Sequence, residues 1–266
     1  MTEQLTPSLS AVLAGPAPVR VDRSWWSWAG PHGGLLAALA LRAASGLAGQ
    51  GRTPRALTVQ LLQAPDDALL ASADLIREGG ASSTVSSALR GADGTLAVNA
   101  VLTSGRSGGG GTPYTAVPAP DVPGPDGCAP VDLPVDVVPY TQHLELRPAA
   151  GTLPFAGGSV AEMVAWVRLI DDDPLDTAAL TVLADSMPPA LYAIATTPVA
   201  VPTVELSMSY ASGLDAAPRR GWVLVRIATR TAADGWCVDD SNVWAPDGEL
   251  LVSSRQTRRV LGEVTQ

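Results

Sequence analysis

Two imidazoles, two thiols and a small set of carboxylates are the groups in this chain with the chemistry to act on a substrate. The histidines are His32 and His143, and the cysteines are Cys128 and Cys237. A histidine-based triad needs a serine or cysteine nucleophile on a recognisable turn, and no Gly-x-Ser-x-Gly signature of one is expected here. Neither Cys-x-x-Cys nor His-x-x-x-His occurs, so no metal ligand set is expected either. Asp171-Asp172-Asp173 before Pro174 reads as a solvated cap at a helix start. The glycine run Gly108 to Gly111 lacks the lysine and the strand–helix context of a phosphate loop. His32 stands before Gly33-Gly34 at a helix start, where backbone N–H groups could hold a carbonyl or an anion. The plainer reading packs it in the loop with Trp25, Trp26 and Trp28.

Three polar residues in the second half stand out from apolar surroundings. Asp185 interrupts the run Leu180-Thr-Val-Leu-Ala-Asp-Ser-Met-Pro-Pro189, where a carboxylate is costly unless it is exposed, capped or used. Asp185 or Ser186 could also cap a turn beginning near Pro188. Thr203 lies in a strand, where threonine is ordinary. Alternation sets it with Glu205, Ser207 and Ser209, opposite Val204, Leu206 and Met208, and so points it away from the apolar side. Gln256 shares parity with Leu250 and Val252, the expected inner face, where an amide needs partners.

The elements that must position these groups come in two sets. A chain of 266 residues, 46% hydrophobic and 16% charged, can bury a core, which excludes wholesale disorder. Ser104 to Pro139 changes composition to glycine and proline and reads as a linker. This predicts a first unit at 1–106, a linker at 107–139 and a second unit at 140–266. The first unit has a helix from Gly33 to Leu47, with Leu35, Leu39 and Ala43 on one side, then strands at Ala56–Gln63, Ala68–Arg77, Ser83–Arg90 and Leu96–Thr103. The second has a helix from Asp176 to Ala184, then strands at Val199–Tyr210, Trp222–Thr231, Cys237–Trp244 and Leu250–Val260.

Two short matches set the register between the halves. Thr58-Val-Gln-Leu61 pairs with Thr203-Val-Glu-Leu206, and Ala92-Asp-Gly-Thr-Leu-Ala-Val98 with Pro246-Asp-Gly-Glu-Leu-Leu-Val252. Asp-Gly between apolar runs is a hairpin signal. The chain therefore reads as a duplicated α+β unit. Each unit is an antiparallel sheet curled around its own helix, and the two sheets join at their edges. A sheet curled around a central helix is the arrangement called a hot dog, so the expectation is a double hot-dog, with two long central helices wrapped by a shared antiparallel sheet. Counted from these anchors, the first half carries Ala40 where the second has Asp185, and Leu102 where the second has Gln256.

The same residues carry a family resemblance. Trp25-Trp-Ser-Trp-Ala-Gly-Pro-His-Gly-Gly-Leu-Leu-Ala-Ala-Leu39 resembles the N-terminal helix motif of the acyl-CoA thioesterase II-like proteins. Leu183-Ala-Asp-Ser-Met-Pro-Pro-Ala190, Pro202-Thr-Val-Glu-Leu-Ser-Met208 and Leu250-Leu-Val-Ser-Ser-Arg-Gln256 resemble, in order, the family's segments bearing a catalytic Asp, Thr and Gln. The resemblance spans nearly all the chain outside the linker. It implies hydrolysis of an acyl-CoA thioester by a water that Asp185, Thr203 and Gln256 hold, without a cofactor. It also implies that the first half shapes the pocket and lends His32, Gly33 and Gly34 to substrate binding. Two alternatives stay open: a hot-dog hydratase or dehydratase, although no Asp-x-x-x-x-His occurs, and a non-catalytic acyl-CoA-binding module.

Charge and targeting bound the partners. The net charge is −9 and every basic residue is arginine, so no nucleic-acid partner is expected. Arg219, Arg220, Arg258 and Arg259 are the candidates for the phosphates of CoA, or else solvated surface. The longest apolar run, Leu35 to Leu41, is far below the ~20 residues of a membrane span. The Met-Thr-Glu start lacks the pattern of a secretion signal, and two cysteines make no disulfide framework. A cytoplasmic homodimer or larger homo-oligomer is the expectation.

Overall fold

The computed structural model describes residues 6–65, 68–108, 112, 114–211, 214–215 and 217–265. Its helices are a short α1 (Leu9–Leu13), α2 (Gly33–Ser45) and α3 (Thr177–Ala184). Leucines fill α2 on more than one side, and the alanines between them let neighbours approach closely. Leu35, Leu36, Ala37, Ala38, Leu39, Ala40 and Leu41 are all buried, the pattern of a helix enclosed by its own domain. Each leucine so buried contributes about 1.5–3 kcal/mol. α3 is shorter, at 8 residues, and every one of them is buried. Its N-cap is Asp176, whose carboxylate accepts from the Ala179 N–H at 2.8 Å. The expected cap, Asp171 to Asp173, does other work: Asp173 accepts from both the N–H and the hydroxyl of Ser10 and so anchors α1.

A small hairpin, β1 (Trp26–Ser27) with β2 (Gly30–Pro31), leads into α2. The first half then supplies β3 (Arg52–Leu61), β4 (Leu70–Glu78), β5 (Ser82–Arg90) and β6 (Leu96–Arg106). The second half supplies β7 (Leu144–Gly151), β8 (Glu162–Leu169), β9 (Thr203–Tyr210), β10 (Val223–Ala233), β11 (Trp236–Trp244) and β12 (Leu250–Arg259). All ten form one antiparallel sheet in the order β4-β5-β6-β3-β9-β12-β11-β10-β8-β7. The two halves meet where β3 pairs with β9. The matched tetrapeptides lie on this seam, with Val59 opposite Leu206 and Gln60 opposite Glu205. The duplicated α+β architecture is therefore the observed one, and it is a double hot-dog.

β7 and β8 were not anticipated, because the repeat places strands only after each helix. β8 reads Met163-Val-Ala-Trp-Val167, an unbroken apolar run with no alternation, since both its faces are covered. Met163, Ala165 and Val167 face the main core, while Val164 and Trp166 pack outward with Cys128, Leu224 and Trp244. The proline-rich segment lies over that outer face. The Pro123 carbonyl accepts from the Trp166 indole at 2.8 Å, and the Val117 carbonyl from the Trp244 indole at 3.1 Å. Gly109, Gly110 and Gly111, part of the expected linker and glycine run, lie outside the described residues.

Candidate active site

The site forms where the start of α2 meets the end of α3. Gly33 and Gly34 make this approach possible. A Cβ on Gly34 would stand 2.9 Å from Asp185 Cβ and 3.1 Å from Val182 Cα, and one on Gly33 would stand 3.0 Å from Asp185 Oδ2. The close partner of the glycine pair is thus α3. Asp185 is the C-cap residue of α3, but its side chain reaches across and caps α2: Oδ2 accepts from the Gly34 N–H at 2.7 Å.

His32 is the N-cap of α2 and clasps the same junction. Its Nδ1 accepts from the Leu35 N–H at 3.3 Å, which leaves Nε2–H to donate to the Asp185 carbonyl at 2.9 Å. The ring lies against Tyr140, with centroids 4.1 Å apart. The reading that packs His32 among the tryptophans is not met: the histidine that stacks on Trp25 is His143, at 3.9 Å. Burial, and secondarily the charge of Asp185, pushes the Tyr140 hydroxyl well above its usual range. Tyr140 therefore stays neutral and donates to the Ser186 carbonyl at 2.9 Å.

From Asp185 a line of hydrogen bonds runs into the sheet. Gln256 Nε2 donates to Asp185 Oδ1 at 2.9 Å, and Gln256 Oε1 accepts from the Thr203 hydroxyl at 2.7 Å. Two bulges set these directions. Thr203 stands opposite Arg258 and Glu205 opposite Thr257, so Val204 is an extra residue in β9. That extra residue reverses the expected parity and turns Thr203 inward. In β12, Leu251 is extra, which sends Leu250 to the outer cluster beside Trp244 while Val252 and Gln256 stay inside. Gln256 is fully buried, and its partners are the two residues above.

Arg258 is not where a phosphate-binding arginine would stand. It is 5% exposed, donates through Nη1 to Thr203 Oγ1 at 2.8 Å, and holds Nε 2.9 Å from Asp239 Oδ2. Asp239, with no exposed surface, accepts from Thr229 at 2.6 Å and from the Ala190 N–H at 3.4 Å. Sequence reading overlooked Asp239. Its inward parity with Cys237 and Ser241 on β11 was the available signal. The other candidate arginines are engaged at the surface. Arg259 covers the Trp236 ring at 4.6 Å, Arg219 pairs with Asp247 and Glu249, and Arg220 pairs with Asp172. Contrary to expectation, Gly105-Arg-Ser-Gly-Gly109 does spell Gly-x-Ser-x-Gly, but Gly105 and Arg106 belong to β6, Ser107 is an exposed partner of Arg55, and Gly109 lies outside the described residues.

Beside this polar line is an apolar cavity of about 740 Å³. Tyr140 and Ser186 form its near wall, and Leu144, Leu146, Met163 and Met187 extend it. The segment Val131 to Val138, after the proline-rich stretch, covers one side.

Fold and site together define a double hot-dog protein with an Asp–Gln–Thr line in its second half. Residues 22–105 match the model of the acyl-CoA thioesterase N-terminal domain, and residues 117–260 that of the acyl-CoA thioesterase C-terminal domain. The chain belongs to the acyl-CoA thioesterase family, enzymes that hydrolyse thioesters. Similar solved structures include a conserved hot-dog protein of unknown function from Alicyclobacillus acidocaldarius. It is 24% identical with TM-score 0.87, over 98% of this chain and 100% of that one. The tesB protein of Mycobacterium avium subspecies paratuberculosis is 18% identical with TM-score 0.71, over 96% and 98% of the two chains. An acyl-CoA thioesterase II from Mycobacterium marinum is 17% identical with TM-score 0.68, over 87% and 89%. No curated protein matches the sequence. No helix among the described residues is long and apolar enough to cross a membrane.

Proposed function

We propose that this thioesterase hydrolyses its acyl-CoA with a single water activated by Asp185 and oriented by Thr203 and Gln256. The hydrogen-bond line Thr203 to Gln256 to Asp185, built from three separate elements, carries the reading. An ionised carboxylate offers about four acceptor positions. Gly34 and Gln256 occupy one on each oxygen of Asp185, so acceptor capacity remains for a water proton. The water oxygen adds to the thioester carbonyl carbon as its proton passes to Asp185. The carbon–sulfur bond then breaks, the thiolate leaves, and Asp185 returns the proton to sulfur.

Among the first-turn donors of α2, Gly34 and Leu35 are engaged by Asp185 and His32. The Gly33 N–H is therefore assigned to the carbonyl oxygen, where one such donor is worth ~3 kcal/mol in the transition state. The apolar cavity behind Tyr140 and Ser186 takes the acyl chain.

The test is free-thiol release from a panel of acyl-CoAs, short to long, branched and aryl, with wild type beside Asp185→Asn and Gln256→Ala. Loss of the base is expected to lower kcat/KM by roughly 10²–10⁴-fold. An Asp185→Asn enzyme within about threefold of wild type removes the assignment, since a general base contributes far more than that. Acyl-CoA that binds by calorimetry but is never cleaved by wild type would mean a binding module.

A further inference from the structure

Arg258 and Asp239 are a buried ion pair directly behind the proposed water-activating residues, and hydrolysis as outlined gives neither of them a role. A carboxamide is nearly symmetric in shape, and a hydroxyl either donates or accepts, so a Thr–Gln–Asp line has no inherent direction. It must run one way for the Asp185 carboxylate to receive an N–H and remain an acceptor. A flipped Gln256 would set its oxygen against the carboxylate.

Two groups impose the direction, one at each end. Ionised Asp185 can only accept. Arg258 can only donate, and its Nη1 occupies a lone pair of Thr203 Oγ1 at 2.8 Å. The hydroxyl hydrogen is left to Gln256 Oε1, at 2.7 Å, and the amide hydrogens to Asp185 Oδ1, at 2.9 Å. During turnover the Asp185 end loses its influence, because a protonated carboxyl can donate as well as accept. The arginine end does not change, since a guanidinium stays charged.

We propose that Arg258, fixed by Asp239, is the positioning residue that holds the direction of the Thr203–Gln256–Asp185 line through the reaction. Asp239 compensates a guanidinium that is otherwise costly to bury, with its own carboxylate held by Thr229 and the Ala190 N–H. Arg258 Nη2 also lies 3.9 Å from Asp185 Oδ1, so the guanidinium spans both ends of the line. The inference rests on the hydrolytic reading above, which the wild-type assay tests by itself.

The experiment compares Arg258→Lys with Arg258→Gln in thiol release, with kcat and KM determined separately and melting temperature measured alongside. Lysine keeps a charged, donor-only head, whereas glutamine can donate or accept and so frees the line to reverse. Arg258→Gln is expected to lower kcat by about tenfold to a hundredfold, the scale seen when partners that orient a site are removed, at unchanged KM. Arg258→Lys is expected to recover most of that loss. If Asp239 left without a cation prevents folding, Arg258→Gln with Asp239→Asn makes the same comparison. Equal kcat for the Lys and Gln variants, or a loss confined to KM, overturns the positioning role while leaving hydrolysis in place. Wild type that releases no thiol overturns hydrolysis, and the positioning role with it.

Discussion

Gly34 illustrates how much a single residue decides at this site. Its N–H is the donor to Asp185, and its missing side chain is the space in which Val182 and Asp185 sit. Alanine favours a helix over glycine by about 1 kcal/mol. The added Cβ, however, would meet backbone at 3.1 Å and Asp185 Cβ at 2.9 Å, neither of which is a flexible tip. Gly34→Ala is therefore expected to destabilise the protein by about 1–3 kcal/mol in urea unfolding, as overpacked sites do. Thiol release should fall as well, because Asp185 has nowhere to retreat. An unchanged midpoint would show that the α2–α3 junction is looser than its contacts. The glycine pair was visible in the sequence as a sign of close approach. That a carboxylate 151 residues later in the chain fills the space was not, since nothing local ties the two.

At the scale of elements, the start of α2 and the end of α3 are joined by His32 and Asp185. The expectation that Asp185 caps a turn of its own following segment was wrong in its object, for it caps the other helix. His32 combines an N-cap with a bond to the Asp185 carbonyl. His32→Ala should cost about 1 kcal/mol for the cap and a similar amount for the second bond. His32→Asn keeps the cap but is too short to reach Asp185, so it should restore only the first part. Urea midpoints for the two variants separate these contributions, and equal losses would deny the cap. The strands add a second lesson. Both bulges, at Val204 and Leu251, reverse the inside–outside order that period-2 counting assigns. Counting outward from Leu206 placed Thr203 on the wrong face because the extra residue lies between them, and no residue type at Val204 announces it.

At the scale of the molecule, stability carries a pH dependence through His143. Burial is the largest influence on this ring and lowers its proton affinity, outweighing the opposite effects of Asp171 and Asp22. An unfolded histidine titrates near ~6.5. Just below that, the unfolded chain holds more protons than the folded one, so stability falls as the pH drops through and beneath this value. His143→Phe keeps a ring on Trp25 and removes the proton. Its unfolding midpoint should fall less than that of wild type between about pH 7.5 and 5.5, the range spanning the ordinary histidine value. Equal losses in the two proteins would place the dependence elsewhere.

Apolar periodicity, the Asp-Gly hairpins and the paired tetrapeptides were enough to derive a duplicated helix-and-meander chain, because each depends on neighbours in sequence. The inward amide of Gln256 was legible for the same reason. Tertiary structure alone decided that β3 and β9 form the seam, that β7 and β8 extend the sheet, and that Arg258 faces Asp239 instead of solvent. Register across a seam, the cover over an outer face and the partner of a buried charge are all set by segments far apart in the chain. Such contacts leave little mark on the local pattern of residues, and only the packed molecule brings them together.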